Sequence, residues 1–468
     1  MRKYYIMGFN FLLLLLLLTA CSKNADRAGT QNQDGPKEVV LAAMHFRYTQ
    51  GSWEAHELEE IINDFNQSQS EYQVRIEYLI DEVDEIQNSS RNPQNDRSEA
   101  AAEKLRVDLA TGLGDYDILL LDEIAFSRMD IQSLVQAGVF ENLSTWLDKE
   151  GGLERDDFFN IAMTAYDLDG TLFTLPIKIQ VGCLCGRQAL LGDRDEWTLR
   201  EFLDFFEENP DLRFINLDIT EYVLMDLHTN GTFSFVDIDE NGEFYFDDQL
   251  CADYLKFLKG IPERQGDDAL SRASIGYETA HTQNREYYPE SYTYIGFPTQ
   301  DKKGGFIVSA DESLSIYSKS DCKEGAWAFL EYCLMYQKKD DGTTLIDGDT
   351  INLPALKEKF DDKTENLLYM QWVRDENGDI VLDANGNPQR TFWHMIGDEM
   401  SHPITEDDVE FLRNYLARDG HIKLYSTELQ YNIFREESKA YFNDQKTLEE
   451  VVEIIGRRLL LYYQEHET

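Results

Sequence analysis

The four residues Ile118-Leu119-Leu120-Leu121 form an apolar run with no polar alternation. A strand of this kind has no face to give to water, so it belongs in a sheet covered by helices on both sides. One such helix lies just upstream, where Glu99 to Thr111 reads as helical and is stopped by Gly112 and Gly114. Farther back, Leu58, Ile61, Ile62 and Phe65 recur at helical spacing within Glu54 to Phe65. Val74, Ile76 and Tyr78 then alternate with Arg75 and Glu77 as a strand does. Helices alternating with strands in this order imply a layered α/β unit.

Helix starts are signalled again later. Thr198 with Glu201 precedes Phe202, Leu203 and Phe206, and Thr447 with Glu450 precedes Val451, Val452, Ile455 and Leu459. Each pair has the spacing of a capping box, in which side chain and backbone satisfy each other's orphan donors. Beyond residue 36 the chain is too long for one typical domain, which predicts two.

The N-terminus reads differently. Arg2 and Lys3 precede an apolar run, and the 15 residues from Ile6 to Ala20 fall short of the roughly 20 that a spanning helix needs. Residues 1–20 therefore read as a signal peptide. Leu18-Thr19-Ala20-Cys21 resembles the bacterial lipobox, so Cys21 is expected to carry lipid and tie the protein to the membrane. Ser22 to Pro36 has no aromatic or large aliphatic residue, and residues 21–36 read as a flexible tether.

The formal net charge is −46, and two units more negative once Arg2 and Lys3 are removed. Such a surface repels nucleic acid and anionic headgroups, leaving solubility as the reading of the charge. Five cysteines remain after Cys21, an odd number that argues against a full disulfide framework. Cys183 and Cys185 would share one face of a strand as structural thiols, since no Cys or His lies close by in sequence to complete a metal site. Cys333, spaced with Ala326, Phe329 and Leu330, reads as helix core.

Two acidic stretches imitate calcium loops. Asp237, Asp239, Asn241, Gly242 and Asp248 fit only loosely, and the flanking Phe233, Phe235, Phe244 and Phe246 make Asn241-Gly242 a hairpin turn. Asp375, Asn377, Gly378 and Asp379, followed by Asn385-Gly386, read the same way. No phosphate loop, nucleophile elbow or zinc-protease motif occurs. The many carboxylates leave an acid/base pair for glycoside hydrolysis unsupported.

A longer ordered series carries a family resemblance. Phe65-Asn66, Asp117 to Leu121, Gln136-Ala137-Gly138 to Leu143, Asp169 to Phe173 and Leu175-Pro176 come first. Trp197-Thr198, Gly296-Phe297-Pro298, Glu324 to Leu330 and Tyr441 to Thr447 follow. In this order, behind a lipobox, they are similar to family 1 extracellular solute-binding proteins, the maltose-binding-like group. Asp81 to Ser98, a polar loop, and Leu368 to His402 depart from the pattern.

The resemblance implies an α/β, two-lobed periplasmic-binding-protein-like fold (type II), with the ligand in a cleft between lobes joined by a multi-strand hinge. The lobes would comprise 37–177 with 307–345, and 178–306 with 346–468. It also implies a monomeric lipoprotein on the extracellular face of the cell membrane, passing a carbohydrate to ABC permease subunits, with no enzymatic activity, cofactor or metal. A peptide or other small solute as ligand, or a secreted glycan-active hydrolase, are the alternatives.

Sugar binding calls for aromatic faces and planar polar groups. Tyr431 and Arg435, four residues apart on a predicted helix, match positions of the maltose-binding group that hold a stacking aromatic and an arginine. Gln180 and Asp122 match polar cleft positions, and Tyr48 and Tyr277 follow from their loops.

Overall fold

The computed structural model describes residues 35–43, 53–79, 93–121, 129, 131–149, 151–168, 170–214, 234–238, 243–260, 267–276, 292–300, 302, 303, 305–336, 352–375, 377–389, 404–422 and 428–466. Cys21 and the residues read from the sequence as a signal peptide and as a tether, up to residue 34, lie outside them.

In chain order the strands are β1 (Lys37–Ala43), β2 (Tyr72–Tyr78), β3 (Ile118–Leu121), β4 (Asp167–Leu168), β5 (Thr171–Leu172), β6 (Leu175–Arg187) and β7 (Leu212–Phe214). They continue with β8 (Val236–Ile238), β9 (Phe244–Phe246), β10 (Asp267–Ile275), β11 (Tyr292–Ile295), β12 (Phe306–Ile316), β13 (Leu353–Pro354) and β14 (Gly420–Ile422). Ten of them form one mixed sheet in the order β2-β1-β3-β12-β6-β10-β7, with β11 and β13 on β6 and β14 on β12. The α/β, two-lobed architecture expected from the sequence is the one observed.

β1, β2 and β3 are parallel, and all four residues of β3 are buried, as a strand covered on both faces must be. The helix ahead of it spans Pro93–Thr111, six residues more at its start than the sequence suggested. Proline at a first helical position leaves no orphan donor there, which offsets the polar composition of 93–98. At the other end Gly112 adopts a φ of 72°, a conformation that closes the helix and favours glycine.

Among the described residues, buried side chains divide into two hydrophobic cores. The first gathers β1, β3 and the helices Trp53–Ser68 and Lys323–Met335, with Phe65, Phe173 and Phe329 among its buried rings. The second gathers Trp197, Phe202, Phe206, Tyr254, Phe434, Val451 and Ile455. β6 runs from one to the other: Ile179, Val181 and Cys183 belong to the first core and Leu184 to the second. Cys183 is fully buried and Cys185 half-buried with its Sγ 3.0 Å from Ser271 Oγ, and burial pushes both thiols up in pKa. Cys333 is core, as read.

From the segment 353–416, Leu353, Phe360, Leu367, Val409 and Leu412 pack in the first core, which also takes in Val181, Cys183, Ile275, Tyr294 and Phe306. β13 pairs with β6 at Lys178 and Ile179, and Phe360 packs edge-on against Phe159 at 5.2 Å. A helix's apolar face does not encode which core it will meet.

Both expected capping boxes form. Thr198 Oγ1 accepts from Glu201 N while Glu201 Oε2 accepts from Thr198 N, and Thr447 and Glu450 exchange the same pair. β8 and β9 pair as an antiparallel hairpin, with Asn241-Gly242 outside the described residues. In the other acidic stretch Asp375 Oδ1 accepts from the backbones of Asn377 and Asp379, closing a tight turn that Asp383 repeats with Asn385 and Asn387.

Candidate functional site

Strand registers locate the region where the two lobes face each other. Ala43 of β1 lies beside Tyr78 of β2 and Leu120 of β3, so these three parallel strands end level. Leu121 pairs with Ser313 of β12, and Ser313 with Pro176 of β6. From the other side β10 runs antiparallel to β6 and ends with Ile275 beside Val181. β14 ends with Ile422 beside Val308, which also pairs with Val181. Strands from both lobes therefore point their C-terminal ends at one another across the stretch Pro176 to Val181. That stretch is about 16 Å long at roughly 3.3 Å per residue. The space outside strand C-terminal ends is where open α/β sheets take ligands.

β6 and β12 cross this gap side by side, joined by β13 on Lys178 and Ile179. The crossing is uneven, with register shifts between Ser309 and Glu312 and again between Glu312 and Ser313. Such a bulge locally bends a strand and re-aims its side chains. Ile179 is buried, while Lys178 and Gln180 on the opposite face of β6 stay half-buried. Gln180 Nε2 donates to Ser274 Oγ at 3.3 Å. Lys178 pairs in register with Glu312. These two charged residues were not singled out from the sequence, although the alternation Ile177-Lys178-Ile179-Gln180 was the available signal.

Of the six positions expected to meet a ligand, Gln180 lies within the gap. Asp122 follows directly on Leu121, Tyr277 comes two residues after Ile275, and Tyr48 comes five after Ala43; all three lie outside the described residues. Tyr431 is on the helix Glu428–Phe442, which begins six residues after the end of β14, and its side chain is likewise outside the description. Arg435 is half-buried on the same helix. Its neighbour Phe434 is buried in the second core, stacked 5.5 Å from Phe235 and 5.9 Å from Tyr254. Asp122, Tyr277 and Tyr48 thus follow strand ends in the sequence, Gln180 is in mid-strand, and Tyr431 and Arg435 are on the helix after β14.

A separate cavity of about 540 Å³ opens between Gly151–Asp157, the helix Lys323–Met335 and Leu356–Glu358. None of the converging strand ends lines it. Among the described residues no group of three or more His, Cys, Asp or Glu side chains is arranged to hold a metal ion.

No family model matches the chain, and no curated protein matches it by sequence. Solved structures do. The sugar-binding protein MalE from the phytopathogen Xanthomonas citri superposes with a TM-score of 0.51 at 14% identity, covering 92% of this chain and 98% of its own. A family 1 extracellular solute-binding protein from Alicyclobacillus acidocaldarius gives 0.49 at 11% identity, over 92% of this chain and 100% of that one. The cyclic alpha-maltosyl-1,6-maltose binding protein from Arthrobacter globiformis gives 0.48 at 13%, with coverage of 92% and 100%. The fold is the two-lobed α/β fold of the Xanthomonas citri structure. Its structural neighbours are family 1 extracellular solute-binding proteins.

Proposed function

We propose that this chain is the solute-binding lipoprotein of an ABC importer, capturing a carbohydrate between its lobes and releasing it to a membrane permease. The observation that carries the proposal is the convergence of strand ends from two separate cores on one short stretch of hinge. This arrangement encloses a small solute when the lobes swing together, because a few crossing residues absorb the dihedral change. Carbohydrate is favoured by the Xanthomonas citri structure, described as sugar-binding, and by a chain with 25 Tyr and 6 Trp to supply flat apolar faces.

In this reading Gln180, Asp122, Tyr48, Tyr277, Tyr431 and Arg435 contact the ligand, and binding involves no turnover. The lobes comprise 37–177 with 307–345, and 178–306 with 346–468. Lipid on Cys21 holds a monomer to the extracellular face of the membrane. Replacing Cys21 with Ser should abolish palmitate labelling; continued labelling contradicts the anchor.

The function is tested by melting the chain without residues 1–21 against panels of glycans and peptides. A ligand at 100 times its dissociation constant adds about 2.7 kcal/mol to the native state. One narrow glycan class should raise the melting temperature. A shift with peptides alone removes the carbohydrate reading, and release of reducing sugar from a glycan replaces binding with hydrolysis.

A further inference from the structure

The segment that follows the helix Glu406–Leu416 touches both cores. On the first-core side, Val409, Leu412 and Leu416 are buried in that core. Asn160 Nδ2 donates to Arg418 O at 3.1 Å and to Asp419 Oδ1 at 2.8 Å, while Thr164 Oγ1 accepts from Gly420 N at 2.9 Å. Asn160 and Thr164 stand on the short helix Asn160–Ala165, whose Ile161 and Ala162 are also first-core residues.

The same segment reaches to the second lobe. Tyr415 Oη donates to Tyr294 O at 3.0 Å on β11, where the Tyr294 side chain belongs to the first core and the next residue, Ile295, to the second. Arg418 Nη1 lies 3.3 Å from Asp195 Oδ2. Asp195 is itself fixed to the end of β11, since its carbonyl accepts from Gly296 N at 3.1 Å, and it sits two residues before the buried Trp197. The Arg418 guanidinium also rests 4.8 Å from the Tyr415 ring and 5.3 Å from the Phe306 ring, at the start of crossing strand β12. An arginine held this way has its direction set by stacking as well as by charge.

We propose that residues 415–420 form a strap across the hinge, with Arg418 and Asp195 as its latch, so that the resting angle between the lobes is set away from the ligand. A relative rotation of the lobes must stretch or release these contacts, because Asn160 and Thr164 precede the crossing strand β6 and Asp195 follows it. The latch therefore biases the balance between lobe arrangements by its own differential stability. This goes beyond ligand capture and is tested with no ligand present, so its outcome is separate from that of the binding proposal.

The experiment is a distance distribution between spin labels on p-acetylphenylalanine introduced at Lys104 and Glu207, both exposed and one in each lobe. Arg418→Gln and Asp195→Asn should each shift the ligand-free distribution in the same direction. The expected change is roughly two- to fivefold in the ratio of lobe arrangements, what loss of a partly exposed ion pair gives. Exchanging the two charges, Arg418→Asp with Asp195→Arg, should restore it in part. Arg413→Gln is the control: it breaks a pair between the helix Glu406–Leu416 and Asp361 of the helix Lys357–Met370, both of which pack on the first core. It should leave the distribution unchanged. Should Arg418→Gln fail to fold, Tyr415→Phe removes a single hydroxyl and reads the same strap. Distributions for Arg418→Gln and Asp195→Asn that superimpose on the parent's overturn the proposal, as does an equal shift with Arg413→Gln.

Discussion

Gln180 and Ser274 are hydrogen-bonded across the hinge sheet, Gln180 Nε2 donating to Ser274 Oγ between the crossing strand β6 and the C-terminal end of strand β10. Gln180 is thereby held in the gap while it stays only partly buried. Gln180→Ala should weaken ligand affinity by about tenfold, the loss of one well-placed hydrogen bond or two. The empty protein should melt within a few degrees of the parent, since truncating a half-buried side chain opens no sealed cavity. Titration calorimetry and melting on this one variant check both halves; unchanged affinity takes Gln180 out of the site.

Trp197 offers the contrasting case. Its indole is fully buried, donates from Nε1 to Gly296 O at 2.8 Å, and meets Phe202 edge-on at 5.0 Å. Trp197→Phe leaves a buried carbonyl without its donor and should destabilise the second lobe by about 1–3 kcal/mol. Denaturant unfolding of the empty chain measures this. A loss of affinity without a loss of stability would instead make Trp197 a ligand contact.

Local signals were legible where chemistry is local. The four apolar residues of β3, the Thr198–Glu201 and Thr447–Glu450 capping boxes and the β8–β9 hairpin are each specified within a few residues, and each formed. The helix Glu406–Leu416 has a capping box too, with Asp408 in place of the usual longer acid at the third position, and that substitution hid it. The helix Lys357–Met370 shows Phe360, Thr364 and Leu367 buried one turn apart within a mostly charged run, a stripe too narrow to stand out. That Leu353 and Phe360 would pack in the first core was not legible at all, because it depends on a pairing of β13 with β6 across more than 170 residues. The site was half legible: strand ends marked its region, but the juxtaposition of Lys178 with Glu312 required the register.

Tyr431 and Arg435 put the sugar reading to a sharper test. If Tyr431 stacks on a sugar ring, Tyr431→Ala should lose on the order of 1–3 kcal/mol of binding, by analogy with base stacking on aromatic side chains. That is roughly ten- to hundredfold in affinity. Arg435→Lys should weaken binding as well, because an ammonium cannot reproduce the paired donors of a guanidinium. Neither change should lower the melting temperature of the empty chain much. A structural role for Tyr431 predicts the reverse, several kcal/mol of stability lost to a cavity with affinity kept.

Closure of the lobes on a bound sugar is the central claim, and small-angle X-ray scattering of the chain without residues 1–21 reads it most directly. With the glycan class found by melting present at saturation, the radius of gyration should fall and the paired-lobe signature of the distance distribution should contract, saturating at one ligand per chain. A saturable binding isotherm with scattering curves that superimpose, with and without the glycan, would contradict the account.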